Sequence, residues 1–170
     1  MVLQQLWRRF EVRLHQLVIL MSLLLICTSP WIFIGRQLSP RAGFWDVFHV
    51  YGGLFTGVLA LLFTYHICSA GQWRQFYPWL TLDFKALLAD LRGLTRGELP
   101  HSGSNGLISV IEGLGIIVLL LVALTGAIWY FSDPSNALMW RSYHILFAQI
   151  FIGFIVIHFL LAIAHIRDLF

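Results

Sequence analysis

Apolar residues fall in four long blocks, at about residues 14–34, 44–68, 107–131 and 138–165, separated by shorter polar segments. A helix needs about 20 mostly apolar residues to cross about 30 Å of hydrocarbon, and each block is long enough. The pattern predicts an all-α membrane protein, a four-helix transmembrane bundle forming one domain over residues 1–170. Between the second and third blocks, residues 78–98 are too polar to span, yet Leu80, Phe84, Leu87, Leu88 and Leu91 recur at helical spacing opposite Asp83, Lys85, Asp90 and Arg92. This predicts an amphipathic helix on the membrane surface.

The connections carry their own signals. Gly35, Arg36, Gln37, Ser39 and Pro40 read as the loop after the first helix. Ala70, Gly71 and Gln72 lead out of the second, with Trp73, Tyr77 and Trp79 as interfacial anchors. Gly97, Pro100, Ser102, Gly103, Ser104 and Gly106 make a turn-rich stretch, and Asp133, Pro134, Ser135 and Asn136 are expected to end the third helix. The first block follows Arg8, Arg9 and Arg13 as a secretory leader would. It is longer than a typical leader core, lacks an obvious small-x-small cleavage site and opens with His15, so it is read as a helix of the mature protein. Only five residues follow the fourth block, so no soluble domain is expected.

Composition supports the same class: 59% hydrophobic and 11% charged residues, with a mean hydropathy of +0.80, describe a lipid-solvated chain. The net charge of +3 is distributed by topology rather than gathered for an acidic partner, and no nucleic acid is expected. With four spans both termini share a side; Arg8, Arg9, Arg13, Arg74, Lys85, Arg92, Arg96 and Arg167 fall there, against Arg36, Arg41 and Arg141 opposite. The excess of cations places both termini in the cytoplasm.

Six of the seven histidines, His15, His49, His66, His144, His158 and His165, lie in or at the ends of these spans, where polar side chains are costly. One alone could be an interhelical hydrogen-bond donor. His144 and His158, however, are 14 residues apart, which returns to within about 40° of the same helix face after about 21 Å of rise. A six-coordinate haem between helices needs two histidines at matching depth. His49 and His144, each near the outer start of its helix, match as one pair, and His15 and His158 as an inner pair. His66 competes for the inner site but lies about 100° around the helix from His49, and is read as structural. His165, at the membrane boundary, is a headgroup, propionate or quinone-pocket residue, and whether His66 or His165 touches a haem stays open. There is no Cys-x-x-Cys-His, and Cys27 and Cys68 have no partner at useful spacing, so the haem would be non-covalent haem b. Gly52, Gly53, Gly57 and Gly153 either leave room for the macrocycle or pack helices. Propionates would pair with Arg36, Arg41 and Arg141 outside and Arg8, Arg9, Arg13 and Arg167 inside.

Ligands on helices one, two and four, with the 14-residue pair on the last, resemble the bacterial di-haem cytochrome b superfamily over nearly the whole chain. That superfamily includes the membrane subunits of formate dehydrogenase and nickel-iron hydrogenase and the stand-alone bacterial cytochrome b561. The resemblance implies two haems b, with axial pairs His15/His158 and His49/His144, in a bacterial or archaeal cytoplasmic membrane. Arg13 before His15, the run Leu124-Thr125-Gly126, and the segments Trp73-Arg74 and Asp90-Leu91-Arg92 are similar to the dehydrogenase-subunit branch. Gln16 and Ser29 stand where the family usually has Trp and Gly, and leave the subfamily open. The family's quinone pocket lies beside the inner haem, with Asn105 as the matching asparagine. His165, Glu112 and His101 cluster at the inner edge and could carry protons to it. The implied function is electron transfer from a periplasmic-side partner, of iron-sulfur or cytochrome c type, to quinone. The alternatives are a self-contained oxidoreductase acting on a small substrate such as superoxide, and a haem-free anchor or small transporter.

Overall fold

A computed structural model of the chain describes residues 2–100 and 105–166, apart from the side chains of residues 2–4, 6, 8, 165 and 166. His101 and Arg167 therefore lie outside the described residues, as do the side chains of Arg8 and His165. The elements are α1 (Val2–Thr28), a 3-10 turn (Ser29–Trp31), α2 (Phe44–Ser69), α3 (Trp73–Phe76), α4 (Pro78–Thr81), α5 (Lys85–Leu94), α6 (Leu107–Phe131) and α7 (Pro134–Ile166). Among the described residues there is no strand, and four helical segments are long and apolar enough to cross a membrane: Arg9–Trp31, Phe44–Ser69, Leu107–Phe131 and Pro134–Ala164.

Two of the expected spans match α2 and α6 closely, and the other two are displaced for identifiable reasons. The first helix begins at Val2 instead of residue 14, because Leu, Gln, Arg and Glu are good helix formers whether or not a bilayer surrounds them. It stops at Thr28 because Pro30 sits in the 3-10 turn with no N–H to offer. The hydroxyls of Thr28 and Ser29 donate to the carbonyls of Leu24 (2.7 Å) and Ile26 (2.8 Å), satisfying groups that the helix end leaves open. The fourth helix begins at Pro134, so the segment expected to end the third helix instead starts the next. Proline is favoured in a first turn, where its missing N–H costs nothing. At the start of α2, Asp46 accepts from the backbone N–H of Gly43 (3.3 Å) and of Phe33 (2.8 Å), closing the helix and tethering the preceding loop to it.

The predicted surface helix over residues 78–98 is broken into α4 and α5. Leu82 takes a left-handed conformation (φ 54°, ψ 25°) behind α4, and Asp83 N–H bonds to the Pro78 carbonyl at 3.1 Å. The same closing arrangement follows α2, where Gly71 (φ 74°) is flanked by bonds from Gly71 N–H to Cys68 and from Gln72 N–H to Ile67. The polar face of α5 is also not wholly solvated as expected. Asp90 is 4% exposed, and its carboxylate accepts from the Leu107 N–H at 2.8 Å, at the opening of α6. An anion at the positive end of a 25-residue helix is favourable, which explains why this acid is buried while Asp83 is exposed.

Contacts divide the described residues into two compact units, one drawn from Met1–His66 and Leu119–Gln149 and the other from Ile67–Val118 and Ile150–Phe170. In the first, glycines seat the helices: a Cβ on Gly52 would meet Leu25 and Met21 of α1 at 3.4 and 3.5 Å, and one on Gly57 would meet Ala123 of α6 at 3.1 Å. In the second, Gly113 lies under the backbone of Phe76, and a Cβ on Gly115 would overlap the Phe154 ring of α7. Without a hydrophobic drive between helices in lipid, small residues that allow close approach dominate such contacts. We expect Asp90→Ala to lower stability by about 1–2 kcal/mol, while Asp83→Ala leaves it nearly unchanged, measured by thermal unfolding in detergent.

Candidate functional site

In the first unit, His49 of α2 faces His144 of α7 with ring centroids 6.2 Å apart and ring planes at 89°. Nδ1 of His144 lies 3.0 Å from the Val122 carbonyl of α6. A carbonyl only accepts, so Nδ1 carries the proton and Nε2 keeps its lone pair. This is the usual means by which a protein fixes the tautomer of a metal-binding histidine. Gly126 makes the approach possible, since a Cβ there would meet the His144 ring at 3.0 Å. Thr125 turns its hydroxyl back onto Leu121 (2.6 Å) and Val122 (3.1 Å). The Leu124-Thr125-Gly126 run thus has a physical reason: it is the surface of α6 on which His144 rests.

The sequence offered no sign of two further contacts. Trp129 lies against His144, centroids 5.9 Å apart, and Arg141 is placed over the Trp129 ring at 6.0 Å. Arg141, a candidate propionate partner, is therefore oriented beside the histidine pair by an aromatic face. Arg141 lies one turn before His144 and Trp129 three residues after Gly126. The helical period alone puts each pair on a common face, but not the two faces together.

His66 is held differently. It is 2% exposed, stacked on Trp7 (4.4 Å, 28°), and its Nε2 lies 3.4 Å from the Glu11 carboxylate of α1. The acid that accompanies it was not singled out by the sequence, because Glu11 lies before the first apolar block. His15 stacks on Phe63 (5.4 Å, 6°) in the same unit. In the second unit, His158 stacks on Phe154 (5.4 Å, 26°), and its Nδ1 lies 4.0 Å from Oε1 of Glu112. Arg13, Arg36 and Asn105 are exposed. Of the glycines read as either making room for a macrocycle or packing helices, Gly52 and Gly57 pack against neighbouring helices, whereas nothing lies within 4 Å of a Cβ on Gly53 or Gly153.

These residues fit a haem at His49 and His144. Nδ1 of His49 is buried with no hydrogen-bond partner, an unfavourable state for a polar atom in hydrocarbon unless the imidazole serves a ligand. With metal–nitrogen bonds of about 2 Å, the 6.2 Å between the ring centroids would leave room for one metal ion between the two imidazoles. Gly53, one turn after His49, leaves open space on that side of α2. Among the described residues no group of three or more His, Cys, Asp or Glu could hold a metal ion. A haem iron, whose equatorial positions are already filled, needs only two.

The family model described as prokaryotic cytochrome b561 matches residues 6–168. Neither the curated proteins nor the solved structures contain a significant match. Two expectations follow from the geometry. Gly126→Ala should displace the His144 ring and reduce the haem-to-protein ratio, read from the pyridine haemochrome spectrum. His66→Phe, by contrast, should keep that ratio while lowering stability by about 1–3 kcal/mol, since His66 is tied to Glu11 and Trp7.

Proposed function

This chain belongs to the prokaryotic cytochrome b561 family, and from that premise we propose that it is the quinone-reactive cytochrome b subunit of a respiratory oxidoreductase complex. It is a multi-pass protein of the cytoplasmic membrane that moves electrons across the bilayer by means of haem b. Bound haem supplies a one-electron iron couple, and the protein supplies its ligands, charge and dielectric. In this reading the chain carries two haems. His49 and His144 hold one, supported above all by the Val122 carbonyl that leaves the His144 Nε2 free to ligate. His15 and His158 hold the second, a pairing that rests on their places in the sequence.

Arg13, Arg36 and Arg141 neutralise haem propionates, with Arg141 steadied over Trp129. The termini lie in the cytoplasm, and a partner of iron-sulfur or cytochrome c type delivers electrons on the periplasmic side. Quinone is reduced at the other end, where Asn105, Glu112 and His165 are the pocket residues and Glu112 and His165 handle protons. The cytochrome b561 match supports a second reading as well: a self-contained oxidoreductase that takes electrons from a small substrate such as superoxide.

Purified chain should contain two haems b, and His49→Ala and His158→Ala should each lose a different one. A colourless wild-type protein would sink the cytochrome reading. Mild solubilisation of native membranes separates the two functions: co-purification of a redox subunit that reduces the haems supports the complex, whereas superoxide reducing the haems of an isolated chain at high rate supports the second reading.

A further inference from the structure

His144 and His158 belong to one helix but meet different partners at Nδ1. For His144 the partner is a neutral peptide carbonyl, 3.0 Å away. For His158 it is a carboxylate, Oε1 of Glu112 on α6, 4.0 Å away. The second arrangement is held from both sides. Gly115 of α6 lacks the Cβ that would overlap the Phe154 ring, so Phe154 seats against α6 at that point. Glu112 precedes Gly115 by three residues and His158 follows Phe154 by four, so each lies one turn along the same face of its helix. Phe154 also stacks on the His158 ring, which orients it.

We propose that Glu112 is a positioning residue for His158 whose negative charge lowers the midpoint potential of the haem held by His158 relative to the haem held by His144. This rests on the reading of both histidines as haem ligands. At 4.0 Å the carboxylate lies beyond hydrogen-bond reach of the outer nitrogen, so it acts on the ligating imidazole and its iron through its negative charge, which favours the ferric state. A peptide carbonyl fixes the tautomer without adding charge. The two ends of α7 thereby differ in electronic character although both offer the same side chain.

The test is a spectroelectrochemical titration of the purified full chain with Glu112→Gln, Glu112→Asp and His158→Ala variants, accompanied by low-temperature EPR of the ferric haems. Glu112→Gln should raise the midpoint of one haem only, by at least a tenfold change in its oxidised-to-reduced ratio at fixed potential, about 59 mV for one electron. The low-spin signal of that haem should shift with it. Glu112→Asp, which keeps the charge, should recover most of the wild-type potential. His158→Ala should remove the same component that Glu112→Gln moves. Unchanged midpoints in Glu112→Gln, or a shift in the component that survives His158→Ala, overturn the role of Glu112 and leave the ligand assignment standing. Retention of both haems in His158→Ala overturns the ligand assignment, and this inference with it.

Discussion

A nitrogen or oxygen atom carried into hydrocarbon must find a partner or serve a ligand, because no water is there to satisfy it. Most of this structure can be understood as the consequence of that demand. His144 meets it through the Val122 carbonyl, His66 through Glu11 and the face of Trp7, and Thr125 by bonding back onto its own helix. His49 meets it only in part, since its Nδ1 is left without a partner.

The second constraint is volume. Helices in lipid come together where side chains are small, and here glycines make several of the close approaches: Gly52 and Gly57 on α2, and Gly113, Gly115 and Gly126 on α6. At Gly126 the space admits the ring of His144, and at Gly115 it admits Phe154, which in turn stacks on His158. Packing and the placement of the α7 histidines are therefore one problem along α6. That helix carries no histidine of its own, yet it contributes a carbonyl, a carboxylate and two glycines to the surroundings of the histidines of α7.

Outside the spans the same logic acts on helix ends. The opening N–H groups of a buried helix need acceptors, and α6 obtains one from Asp90, a residue of α5 that lies 17 positions earlier. Asp46 does this for α2 and also ties down Phe33. Such ties give short connecting segments fixed positions against long helices.

Much of this was legible in the chain itself. The four apolar blocks announced four helices because span length is a property of the bilayer, and α2 and α6 end where apolar content ends. The histidines announced a haem protein because intramembrane histidines at a 14-residue spacing share a helix face. The family match covers the segment that holds all of them, residues 6–168. What the chain could not reveal was whatever depends on a second helix. Pattern put Asp90 on a solvated face and left Gly52 and Gly57 open between a cofactor and helix packing, because periodicity reports the face a residue occupies and not what stands opposite. The burial of Asp90 against Leu107, the rest that Gly126 provides for His144, and the meeting of Glu112 with His158 required the helices to be brought together. Sequence determined which polar groups entered the membrane, since composition sets that cost. Tertiary structure decided which of them were satisfied, since a hydrogen-bond or ion-pair partner is a matter of distance between separate segments.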